Sequence, residues 1–133
     1  MTGKEREMAH VHETILFVDD EDYLAEVGRE MLEDYGYHVD IETSPANALA
    51  LFEENPDRYD LLITDYTMPG MTGDQMVKKI HDLRPEVPVI LCSGIRLTRE
   101  IAGNKGISKV LVKPFDMDVL LDTVREVLDA GVS

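Results

Sequence analysis

From Thr14 onward, short apolar runs alternate with amphipathic segments, and no repeat or low-complexity tract interrupts the alternation. A strand covered on both faces reads as an unbroken apolar run, while a helix lying on a sheet carries apolar residues three and four apart. On this basis Thr14 to Val18 is a strand, followed by a helix from about Asp22 to Tyr35 with Leu24, Val27, Met31 and Leu32 on one face and Gly36 as its stop. Tyr37 to Ile41 alternates apolar and polar residues, as an edge strand does, whereas Leu61 to Ile63, Val89 to Cys92 and Val110 to Val112 are continuous apolar runs expected to be covered on both faces. Pro45 opens a second helix with Leu49 and Phe52, and Asp74 to Leu83 forms a third carrying Met76, Val77 and Ile80. A fourth, between Ile95 and Gly103, is short and weakly signalled, and the last runs from Asp116 to Asp129 with Leu120, Val124, Val127 and Leu128 in one stripe.

Five strand and helix pairs in succession imply parallel strands joined by right-handed crossovers. The expected fold class is therefore α/β, a single doubly wound five-stranded parallel sheet of the flavodoxin-like order 2-1-3-4-5 with helices on both faces. Ligands of such sheets bind beyond the carboxyl ends of the strands, where the strand order reverses.

At 133 residues the chain has room for one core. Residues 14–130 are expected to form it, with residues 1–13 as a polar tail. Thirteen Lys and Arg stand against 27 Asp and Glu, a formal net charge of -14 that repels nucleic acid and anionic membrane. The lone cysteine, Cys92, sits inside an apolar run, so no intrachain disulfide can form and a reduced, buried thiol is expected, which suits the cytoplasm. Met1 to Glu13 has no apolar stretch of signal-peptide length, and no later run approaches membrane-spanning length. His10, His12, His38 and His81 show no metal-ligand spacing and read as structural or surface residues.

The residues at the strand ends carry the chemistry: Asp19 and Asp20 after the first strand, Asp65 after the third, Ser93 after the fourth and Lys113 after the fifth. Taken singly, each has a plain structural use. An Asp after a strand caps a helix, Asp65 can begin a turn ahead of Pro69 and Gly70, Ser93 can do so before Gly94, and Lys113 can be a solvated loop lysine. Their joint placement argues otherwise. In the 2-1-3-4-5 order the first and third strands are neighbours, so three carboxylates crowd together and resist ionisation unless a cation joins them. Oxygen donors of this kind suit Mg²⁺. An ammonium and a hydroxyl beside them suit a phosphoryl group in transit, with Asp65 as its nucleophile.

Four segments carry a resemblance: Phe17-Val18-Asp19-Asp20-Glu21, Asp65 through Gly73, Val89 to Gly94, and Lys113-Pro114-Phe115. Through them, over roughly residues 14 to 130, the chain resembles the receiver domains of two-component response regulators. The resemblance implies that Asp65 is the phosphoacceptor, charged from a phosphohistidine on a histidine kinase or a histidine phosphotransfer protein. It implies that Asp20, Asp65 and the backbone carbonyl of Thr67 bind Mg²⁺ directly, with Asp19 assisting through water. Ser93 matches the hydroxyl that moves toward the phosphoryl oxygens. Lys113 matches the lysine that pairs with them, ahead of a Lys113-Pro114 bond that is typically cis in such domains. Thr67 and Ile95 fall where similar domains tune the lifetime of the aspartyl phosphate.

Two departures bear on signalling. Val110 stands where similar domains place an aromatic ring in the fifth strand, and the stretch from Ser93 to Lys113 is short and carries Gly103 and Gly106, which weakens the fourth helix. Three other functions compete. A Mg²⁺-dependent phosphohydrolase would carry its nucleophile after the first strand in an Asp-x-Asp pattern, whereas the acid read as nucleophile here, Asp65, follows the third. A flavin-binding domain would need a phosphate-cradling loop where this chain has Asp19 to Asp22. A receiver-like interaction module would keep the acidic pocket without being phosphorylated. Since the sequence stops soon after the last helix, it is expected to act through another, unknown downstream protein, or to be a piece of a longer one. The stretches Asp57 to Asp60 and Met68 to Gly73 look similar to receivers fused to hybrid sensor kinases.

Overall fold

The computed structural model describes residues 13–104 and 106–130. The expected tail therefore lies almost wholly outside the described residues, as do His10 and His12. Five strands, β1 (Thr14–Val18), β2 (His38–Glu42), β3 (Leu61–Asp65), β4 (Val89–Ser93) and β5 (Lys109–Val112), alternate with five helices. The helices are α1 (Asp22–Asp34), α2 (Pro45–Glu54), α3 (Gly73–Leu83), α4 (Arg99–Ala102) and α5 (Met117–Ala130). All strands pair in parallel in the order β2-β1-β3-β4-β5, as expected.

Period-two alternation in the central strands divides the interior into two layers. Ile15, Phe17, Ile63, Ile90 and Cys92 face α1 and α5, packing on Leu32, Leu120, Val124 and Val127. Leu16, Val18, Leu62, Val89 and Leu91 face α2 and α3, packing on Ala48, Phe52, Met76, Val77 and Ile80. Both layers being filled, β1, β3 and β4 are buried almost throughout.

Local signals end the elements where chemistry predicts. Gly36 adopts φ +94° just past α1, a left-handed conformation that costs a residue with a Cβ, and it lets the chain turn into β2. Ser44 Oγ accepts from the Asn47 N–H at 3.3 Å, and Pro45 follows as the first residue of α2.

Two expectations fail in part. The buried residues of α1 are Ala25, Gly28 and Leu32, while Leu24 is exposed and Val27 and Met31 are half-buried. Periodicity located the helix but not its rotation. Small residues face the sheet because the Phe17 ring presses on the helix there: a Cβ on Gly28 would lie 2.7 Å from Phe17 Cζ. Leu24 and Val27 instead line a cavity of about 270 Å³ between α1 and α5, whose other walls include Met117 and Leu120.

The second failure is β5. Its apolar run reads as covered on both faces, yet Val112 is 64 % exposed and Val110 and Leu111 are only half-buried. The strand lies at the sheet edge, and the neighbouring crossover offers only the four-residue α4 as cover. That helix is as short as its glycines suggested; Thr98 Oγ1 caps it by accepting from the Ile101 N–H at 3.3 Å, and Gly103 ends it.

Candidate functional site

The parallel sheet delivers the ends of β1, β3, β4 and β5 to one edge, and the strand-end residues gather there. Asp19 continues β1, and its N–H donates to the Glu42 carbonyl at 3.1 Å, so the loop leaves the sheet from a fixed point. Its carboxylate then accepts from the Glu21 N–H at 2.9 Å. Asp19 thus braces the turn into α1, the ordinary use of an Asp in that place, while its second oxygen faces Lys113. Asp65 ends β3. The next residue is tied to β4 by the Tyr66 N–H donating to the Cys92 carbonyl at 2.8 Å.

One carboxylate oxygen from each of Asp19, Asp20 and Asp65 lies within 4.8 Å of the others. Asp19 and Asp65 are buried, at 5 % and 6 % exposure, and Asp20 is exposed at the rim. Lys113 reaches in from the end of β5, its Nζ 2.6 Å from Asp65 Oδ1 and 3.9 Å from Asp19 Oδ2. The Lys113 N–H donates to the Ser93 carbonyl at 2.8 Å, which sets the height of the lysine beside β4, and the Lys113-Pro114 bond is cis.

Burial pushes the Asp65 carboxyl up to about 7; the hydrogen bond from Lys113 opposes this, and the Asp19 charge adds to it. Burial works against the Lys113 ammonium, but the Asp65 hydrogen bond and the two carboxylate charges outweigh it and raise its pKa. One ammonium therefore does not satisfy the cluster. Hard oxygen donors at this spacing fit a small divalent cation such as Mg²⁺, which would relieve the remaining repulsion. Nearby, burial and then the Asp65 charge push the Cys92 thiol up to about 12, so it remains a neutral packing residue as expected.

Ser93 ends β4, 2 % exposed, and is drawn into the turn that its position before Gly94 suggested. Its hydroxyl donates to the Ile95 carbonyl at 2.8 Å and accepts from the Ile95 N–H at 3.1 Å. No hydrogen bond joins it to Asp65 among the described residues. Thr67 lies exposed on the loop two residues past Asp65. His81 acts structurally, its Nε2 2.9 Å from the Val87 carbonyl oxygen.

Reading the sequence passed over two residue types that shape this site. Phe17 and Phe115, together with Asp65 and Lys113, line a small void at the site. Gly73, the first residue of α3, packs directly on the Asp65 carbonyl. The aromatic residues stand inside the segments quoted above, and Gly73 directly follows a helix-capping threonine, but neither pattern discloses a tertiary contact.

A response regulator receiver domain family model matches residues 15–125. Among curated proteins, the chain is 30% identical over 119 residues to sensor kinase CckA of Brucella abortus, covering 87% of this chain and 12% of that protein. It is 32% identical over 126 residues to the hydrogenase transcriptional regulatory protein HoxA of Cupriavidus necator, covering 92% of this chain and 26% of that one. The chain thus spans only about an eighth and about a quarter of the length of these two relatives. Among solved structures, a CheY-like response regulator receiver domain protein from Methanospirillum hungatei superposes with TM-score 0.82 at 30% identity, covering 90% of this chain and 95% of that one. The receiver domain of the hybrid histidine kinase CckA gives TM-score 0.75 at 35% identity, with 86% and 98% covered. The response regulator TrrA of Thermotoga maritima, in complex with Mg²⁺ and BeF, gives 0.77 at 30% identity, with 86% and 98% covered. With its sheet order, its strand-end acids and these matches in agreement, the chain belongs to the response regulator receiver domain family of two-component signalling.

Proposed function

We propose that this receiver domain, spanning residues 14–130 with residues 1–13 outside it, takes a phosphoryl group onto Asp65 from a phosphohistidine in the cytoplasm. The donor is a histidine kinase or a histidine phosphotransfer protein. The supporting observation is the convergence of Asp19, Asp20 and Asp65 with Lys113 Nζ at 2.6 Å from Asp65 Oδ1. An Asp65 carboxylate oxygen attacks phosphorus, an O–P bond forms as the N–P bond breaks, and the departing imidazole keeps the bonding pair and takes up a proton. Asp19, Asp20, Asp65 and the Thr67 backbone carbonyl would hold Mg²⁺, which supplies positive charge to the phosphoryl oxygens. Lys113 then exchanges its bond to Asp65 for one to a phosphoryl oxygen, and Ser93 leaves Ile95 to donate to another. The domain is a signalling element rather than an enzyme acting on an external substrate, and its altered surface is read by a downstream protein.

The test is intact-mass measurement after incubation with acetyl phosphate and Mg²⁺. One added phosphoryl group, lost in Asp65→Asn, supports the assignment; an unchanged mass opposes it. Val110 supports a second reading, a receiver-like module that binds partners without phosphorylation. For that reading the same measurement returns no adduct.

A further inference from the structure

We propose that Gly73 is a positioning residue for phosphoryl transfer at Asp65, an inference that rests on the phosphoacceptor reading above. The loop from Tyr66 to Thr72 leaves β3 immediately after Asp65 and returns to the same place at Gly73. The Gly73 N–H donates to the Tyr66 carbonyl at 2.7 Å, closing the loop on its first residue. At that closure the Gly73 α-carbon rests on the Asp65 carbonyl group. A Cβ there would overlap the Asp65 carbonyl oxygen far inside van der Waals contact and would lie 2.9 Å from Leu91 Cδ1.

The two obstacles differ in kind. Leu91 Cδ1 ends a flexible side chain and can turn aside. The Asp65 carbonyl belongs to the peptide that carries the nucleophile, so a side chain at position 73 moves Asp65 itself. The closing end of the loop is also held by the Thr72 N–H, which donates to Gln75 Oε1 at 3.0 Å. Asp19 and Asp20 come from a different strand and are untouched. The expected defect is therefore a misplaced nucleophile beside an unmoved Asp19 and Asp20, and transfer rates are steeply sensitive to such misplacement.

Gly106 supplies the control. A Cβ there would lie 2.6 Å from His81 Nδ1, a crowded place of the side-chain kind, just ahead of β5 and at the opposite end of the sheet from the site. The experiment measures the labelling rate with saturating acetyl phosphate as a function of Mg²⁺ concentration, alongside thermal unfolding, for wild type, Gly73→Ala, Gly106→Ala and Gln75→Ala. The expected result for Gly73→Ala is a limiting rate lowered at least about tenfold even at saturating Mg²⁺. Gly106→Ala should label within about twofold of wild type whatever its melting temperature. A Gly73→Ala rate within twofold of wild type overturns the proposal, and so does an equal loss in Gly106→Ala, which would mark a general packing effect. Should Gly73→Ala fail to fold, Gln75→Ala decides: it removes an exposed hydrogen bond to the residue just before Gly73, at the same loop closure. Labelling slowed about threefold supports the proposal, and an unchanged rate contradicts it. A wild type that takes no label overturns the phosphoacceptor reading and this inference with it, an outcome read separately from the variants.

Discussion

Lys113 Nζ stands 2.6 Å from Asp65 Oδ1 and 3.9 Å from Asp19 Oδ2, so a single ammonium bridges two buried carboxylates supplied by different strands. Lys113 is itself about one-third exposed, and its strength as a partner is reduced by water at that edge.

Lys113→Ala should leave the fold intact and remove the only cation bonded to Asp65 among the described residues. At pH 8 without divalent cation, the buried Asp65 carboxyl is then left without its cationic partner, and urea unfolding should report a loss of about 1–3 kcal/mol, the scale of stranding a buried polar partner. Labelling by acetyl phosphate with Mg²⁺ should slow at least about tenfold, as transition-state charge loses its partner. A variant matching wild type in both measurements would deny the lysine its role.

Asp65 predicts an inverted pH dependence. Its carboxyl titrates near 7 in the folded chain, mainly because it is buried, against 3.8 as the ordinary value. Between those pH values the folded state holds a proton that the unfolded state has released, so the contribution of Asp65 to stability falls as pH rises through the window. Asp65→Asn lacks this titration. Without Mg²⁺ the variant and wild type should have similar stability relative to each other near pH 4 and separate by pH 8, the variant then being the more stable by at most about 4 kcal/mol. Adding Mg²⁺ should narrow the gap. Parallel stability curves from pH 4 to pH 8 would contradict the origin assigned to the shift.

Ser93 and Ile95 predict a change in amide exchange. The Ile95 N–H donates to Ser93 Oγ while Ser93 donates to the Ile95 carbonyl. Ser93→Ala should speed exchange at Ile95 and cost about 1 kcal/mol of stability. Beryllofluoride with Mg²⁺ should produce the same loss of protection in wild type, because the hydroxyl turns toward the bound anion. Protection that persists in the beryllofluoride state would rule out this motion.

How far the sequence discloses this molecule depends on whether a feature is local. Strand and helix positions follow from periodicity within each segment, and Gly36 and Pro45 mark boundaries through their own backbone chemistry. Convergence at the carboxyl ends also follows, because a parallel sheet places every strand-to-helix loop on one edge. The rotation of α1 does not, since it depends on the Phe17 ring meeting Gly28. Nor does the exposure of Val112, whose covering layer depends on the length of α4 rather than on the apolar run itself. The resting contact of Ser93 was visible only as a turn tendency, and the seat of Gly73 beneath Asp65 only as a glycine after a capping threonine.

The most direct measurement of the central claim is to treat the protein with acetyl phosphate and Mg²⁺, reduce any acyl phosphate with borohydride, and map the modified residue by peptide mass spectrometry. The predicted result is modification at Asp65 alone, absent when the divalent cation is chelated. Modification at another acid, or none at Asp65 with Mg²⁺ present, would contradict the assignment of this hollow as the phosphoacceptor site.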